Sequence, residues 1–238
     1  YETLRETSEA FGYQEYEGDW IHRDDLAKHE RLQERLARKR MEDLQLGPSF
    51  HVKRRGSVRI FTDFAGDDLL FPARRLHGLL DSARRAHADL FLPLLQGEIP
   101  PPLDVVVFQR REDYEKYTAS PKTVGMFLPA REASFFFLGG PAWDEPAALV
   151  LHEICHQLDF KALGLKYPPP WLQEGLAVCF EGATVSREGV VESIEELPRD
   201  AALRLRKQCP PGSPRSAHHW GCNPPGRWRW HLPASTRL

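Results

Sequence analysis

His152, Glu153 and His156 stand in the order H-E-x-x-H within VLHEICHQLDF, residues 150–160. Two histidines four apart on a helix sit one turn apart on the same face. Both imidazoles can therefore reach one point about 2 Å from each nitrogen, the bond length to zinc. Glu153 lies about 100° around the helix. That offset keeps its carboxylate off the metal but within reach of a water there, where it can act as general base. The bland reading is three surface residues of an amphipathic helix, since a chain of this size contains the motif by chance about once in a hundred.

A catalytic zinc takes three protein ligands and keeps a fourth position open, so a third ligand must be found. The metzincin spacing requires a glycine and a histidine at the third and sixth positions after the second histidine. Asp159 and Ala162 stand there instead. The other solution is a glutamate on a following helix. Seventeen residues separate His156 from Glu174. That is enough for the first helix to end, turn through GLKYPPP, and return antiparallel with Glu174 on its first turn.

HEICHQLD followed by PPWLQEGLAVCFEG resembles the gluzincin clan of metallopeptidases. It is most similar to the compact peptidase MA-like, or minigluzincin, group of uncharacterised bacterial proteins. The W-L-x-E-G-L-A context of Glu174 is also similar to the aminopeptidase branch of that clan. The likeness covers roughly residues 51–185. It implies a zincin-like fold, with a small mixed sheet whose edge strand lies over the H-E-x-x-H helix and a following glutamate helix. His152, His156 and Glu174 become zinc ligands and Glu153 the catalytic base. The resemblance also implies that SFFFL, residues 134–138, is an edge strand that pairs with extended substrate. Gluzincins usually supply a Tyr or His to the oxyanion, and Tyr167, in the turn between the ligands, is the candidate. The thermolysin-like branch places an acidic partner four residues after its glutamate ligand, where this chain has Val178. Asp159 shares the ligand face and is a candidate to orient a histidine. Glu181, two turns past Glu174, is a runner-up ligand.

The elements that must hold these residues follow from pattern. SVRIFTDF reads as a strand, and a long amphipathic helix begins at Pro72 and carries Leu76, Leu79, Leu80, Ala83, His87 and Leu90. LDVVVFQ is fit for a central strand, REDYEKYT for a short helix, and TVGMFLP and SFFFLGG for two strands joined by AREA. The motif helix runs from Asp144 as N-cap to Gly164, and the next from WLQEG to Gly182. The order is α+β.

Residues 1–50 read as a small lead-in module: a hairpin turning at Gly18-Asp19, then a mainly polar helix from Asp24 or Asp25 to Gly47. Residues 51–200 form the peptidase-like domain. Residues 201–238 carry seven basic and no acidic residues, six prolines and three tryptophans. They read as a disordered basic tail, a Trp/Arg-rich patch, or an out-of-frame translation, and the abrupt change of composition favours the last.

A formal charge of −2 gives no reason to expect nucleic acid or a lipid surface as partner. No apolar run approaches the roughly 18 residues of a membrane span. The four cysteines form no C-x-x-C pair; Cys155 and Cys179 read as small buried side chains. The chain begins at Tyr1, as a fragment or an exported, processed product would, so compartment is left open. The expectation is zinc-dependent hydrolysis of a peptide or protein substrate, with zinc-bound water activated by Glu153. The alternative is a degenerate zinc-binding peptidase fold that binds peptide or scaffolds a partner.

Overall fold

The computed structural model describes residues 2–16, 19–64, 70–95, 102–137, 146–162 and 169–194. Asp144, Gly164, Tyr167 and the 201–238 segment lie outside the described residues.

The chain opens with helix α1 (Glu2–Ala10), which the sequence reading did not anticipate, and the antiparallel hairpin β1 (Tyr13–Tyr16) and β2 (Asp19–His22). Tyr16 pairs with Asp19, so Asp19 belongs to the second strand rather than to the expected Gly18-Asp19 turn; Gly18 lies outside the described residues. A 3-10 turn (Arg23–Asp25) leads into α2 (Leu26–Asp43). Leu32 and Leu36 of α2 are exposed, and only Ala37 among its residues is buried. Just past its end, however, Leu44 is fully buried among Phe61, Val106, Tyr114 and Phe135. The lead-in helix is therefore anchored at its C-terminal end.

Strand β3 (His51–Arg55) pairs antiparallel with β4 (Val58–Thr62). After α3 (Leu70–Leu95), β5 (Leu103–Phe108) lies parallel to β4. Helix α4 (Arg111–Thr118) then precedes the antiparallel pair β6 (Gly125–Leu128) and β7 (Ala133–Phe137). The result is a five-stranded mixed sheet in the order β3-β4-β5-β7-β6. Helices α5 (Pro146–Ala162) and α6 (Pro170–Glu181) and a small ribbon, β8 (Thr184–Val185) with β9 (Val191–Ser193), complete the described chain. The fold is α+β.

Both faces of the sheet are covered, which explains the unbroken apolar run of β5. Leu103, Val105 and Val107 pack with Leu80 of α3 and Leu151 and Ile154 of α5, while Val106 and Phe108 pack on the other side with Leu44 and Tyr114. Strands buried on both faces read as continuous rather than alternating hydrophobic runs. The same physics corrects one expectation. SFFFL is not an edge: β7 is bonded to β5 on one side and β6 on the other. Phe135 and Phe136 are both fully buried, one in each core cluster. The edge beside α5 is β6.

Polar contacts fix α5 against the sheet. Gln157, fully buried, donates to the carbonyls of Asp104 and Glu132, each at 3.2 Å, and accepts from Ser134 Oγ at 2.9 Å. Glu132 takes a left-handed backbone conformation (φ 49°) in the β6–β7 turn, uncommon for a residue with a side chain. Its carbonyl also accepts from Arg40 of α2 at 3.3 Å.

A candidate metal centre

Four residues apart on α5, His152 and His156 turn their Nε2 atoms to the same place, 3.2 Å from one another. Helix α6 brings the third group. It packs against α5 with Glu174 beside both histidines and Glu181 beside His152. Glu174 Oε2 is 3.5 Å from His152 Nε2, and Oε1 is 3.8 Å from His156 Nε2. One ligand atom from each of the three residues lies within 4.8 Å of the others.

Four donors placed tetrahedrally at 2.0–2.1 Å from a metal are about 3.3 Å apart. The two nitrogens are already at that spacing, while a single Glu174 oxygen must move closer, since one ligand atom per residue brings the three only within 4.8 Å of one another. Two imidazoles and a carboxylate suit a first-row divalent ion.

The three side chains also shift one another's proton affinities. Burial would lower the pKa of His152, but its hydrogen bond to Glu174, the charges of Glu153 and Glu174, and the bond to Glu181 outweigh it and raise it. The hydrogen bond from His152 in turn lowers the pKa of Glu174, against its burial. Burial and the neighbouring His152 lower that of His156. Together these directions make His152 the more readily protonated of the two histidines, beside the Glu174 carboxylate.

Glu153 is placed differently from the ligands. Its Oε2 accepts the backbone N–H of Phe127, in edge strand β6, at 2.8 Å. Burial raises its pKa. The carboxylate thus sits between the motif helix and the sheet edge, one residue from a ligand but turned to β6. A close approach makes this possible: a Cβ at Gly125 would come within 2.8 Å of the Phe136 ring and 3.2 Å of Leu149 of α5. The Phe127 ring adds an edge contact with Phe160 of α5, centroids 5.6 Å apart.

Two expectations about supporting carboxylates change. Glu181 is not in the ligand group; it bonds to the far nitrogen of His152, Nδ1, at 3.1 Å. A carboxylate there fixes the tautomer and points Nε2 at the metal position. Its place two turns beyond Glu174 was readable from sequence, but its role depends on how α6 crosses α5. Among the described residues, Asp159 bonds to no ligand histidine. It is buried and bonded to Nε2 of the fully buried His87 of α3 at 2.9 Å. His156 Nδ1 is buried with no partner among the described residues. His87 was read only as part of an apolar stripe, and nothing in sequence linked it to a residue 72 positions away. Cys155 is buried and Cys179 partly so, and both are free thiols.

No protein-family model matches the chain, and no curated protein is similar enough to be matched.

Proposed function

We propose that this protein is a zinc-dependent peptidase of the gluzincin type, acting on extended peptide substrates. The observation that carries the reading is the convergence of His152, His156 and Glu174 on one point, with Glu153 adjoining it on the side of edge strand β6. His152, His156 and Glu174 would hold the zinc. When bound, zinc supplies a Lewis acid that polarises a carbonyl and brings the pKa of water towards about 7.

The chain's own groups divide the remaining work. Glu153 accepts a proton from the attacking water and delivers it to the leaving amine, a double duty suited to a carboxylate whose pKa is raised by burial. The Phe127 N–H holds that carboxylate in place. Glu181 keeps His152 in the ligating tautomer. Strand β6 offers its other outward backbone groups to an extended peptide, which adds as a further strand. Tyr167 remains the proposed oxyanion donor by resemblance.

Glu153→Gln separates binding from chemistry. The variant keeps its zinc and loses peptide hydrolysis by at least about a hundredfold, the usual scale of general-base catalysis. Full hydrolysis by the glutamine variant removes Glu153 as base. A wild-type protein that holds zinc and binds peptides without cutting any would leave the scaffold reading in its place.

A further inference from the structure

Three carboxylates stand around the two histidines, and each is engaged differently. Glu153 gives Oε2 to the Phe127 N–H at 2.8 Å. Glu181 gives Oε2 to His152 Nδ1, the nitrogen turned away from the ligand cluster, at 3.1 Å. Of the three, only Glu174 faces the cluster, and it does so with both oxygens. Oε2 is 3.5 Å from His152 Nε2, and Oε1 is 3.8 Å from His156 Nε2. The carboxylate straddles the pair of nitrogens, one oxygen to each, at nearly equal distances.

The other contacts of Glu174 supply an independent observation. Carboxylates that ligate a metal are ordinarily hydrogen-bonded in turn by an outer group, which a single-oxygen ligand meets with its second oxygen. Among the described residues, the two histidines are the only groups in hydrogen-bond or ion-pair contact with Glu174, so no other protein donor among them claims that oxygen. Single-oxygen ligation also asks for the larger movement. One donor atom from each residue brings the three only within 4.8 Å of one another, whereas neighbouring donors of a tetrahedral zinc are about 3.3 Å apart. With both oxygens in use, neither has to come that close to the farther nitrogen.

We propose that Glu174 chelates the metal through both carboxylate oxygens, so that three residues supply four donor atoms and one position is left for an exchangeable water. The inference rests on the metal-site reading above and goes beyond it in the coordination number, five where zinc sites with three protein ligands and a water usually have four. Zinc takes no geometric preference from its filled d shell, so its chemistry does not resist a fifth donor. Glu153 and Glu181 stay outside this shell, because each already has its own partner.

The test uses the full chain loaded with zinc, and the same chain carrying cobalt(II) instead, with metal content measured on each sample. X-ray absorption at the zinc edge counts the nitrogen and oxygen donors around the ion. The visible bands of cobalt(II) are several times weaker in a five-coordinate than in a tetrahedral site. The expected result is five light-atom donors around zinc and weak cobalt bands. Glu174→Gln, whose amide offers a single oxygen, is expected to bind metal more weakly, with four donors and cobalt bands severalfold stronger per bound ion. A residue that merely supported the fold would change the amount of metal bound without changing that intensity. Four donors and strong cobalt bands in the wild type overturn the proposal while leaving the three ligand residues standing. Failure of the wild type to hold either metal overturns it together with the metal site. Should the glutamine variant bind no metal, the wild-type spectra decide alone.

Discussion

At the scale of single residues, the arrangement turns on which nitrogen and which oxygen each group presents. His152 gives Nε2 to the ligand cluster and Nδ1 to Glu181. Replacing Glu181 with Gln keeps the size of the side chain but weakens its hold on the imidazole. The expected outcome is a 10–100-fold loss of zinc affinity, read by competition with a chelator, with little change in thermal stability of the metal-free protein. An unchanged affinity would mean that His152 is oriented by something else. The nearness of His152 to His156 was legible because spacing on a helix dictates it, and Glu174 stands on the next helix in sequence, which packs against the first. The supporting carboxylates were harder to read. The sequence shows that Glu181 shares a face with Glu174 but not which atom it meets, and Asp159 answers to His87 on a distant helix.

Among the elements, strand β6 matters most because it faces Glu153. It can lie that close only because residue 125 has no side chain. Gly125→Ala forces a Cβ against the buried Phe136 ring and Leu149. The expected cost is about 1–3 kcal/mol, measured by denaturant unfolding, with peptide hydrolysis falling as β6 is pushed from α5. Stability and hydrolysis both at wild-type levels would show that the strand can shift freely. The central strands and the two site helices were evident from apolar runs and, for α6, from Gly182 at its end. The edge was not, because SFFFL and GMFL are each apolar and only pairing partners distinguish them. Strand β3 escaped notice for the opposite reason: HVKRR has one aliphatic residue, and its pairing with β4 makes it a strand despite its charge. Such charged edges are common in natural sheets, where they discourage pairing with other chains.

At the scale of the molecule, one buried carboxylate joins the lead-in helix to the domain. Asp104 of β5, 1% exposed, accepts from Arg40 of α2 at 2.7 Å and from Arg59 of β4 at 2.6 and 3.0 Å. Arg40 also donates to the Arg131 carbonyl at 2.7 Å, so α2 braces the β6–β7 turn that sets the edge strand. Arg40→Met keeps the aliphatic stem and removes these bonds. Arg59 still covers Asp104, so the expected loss is about 2 kcal/mol rather than the larger penalty of an unpaired buried charge. Chemical denaturation measures it, and a change under about 0.5 kcal/mol would mean that α2 is held by Leu44 and its neighbours alone. None of this could be read from residues 1–50 taken by themselves, since Arg40 looks like any other charge on a solvated helix until its partner 64 residues away is known.

The central claim is that α5 and α6 together build a zinc site. It is tested most directly by the zinc and iron content per chain of purified protein, beside Glu174→Ala prepared in the same way. The account predicts close to one zinc per wild-type chain, no stoichiometric iron, and a large loss of zinc in the variant. Negligible zinc in the wild type after metal is supplied, or equal zinc in both proteins, would contradict it.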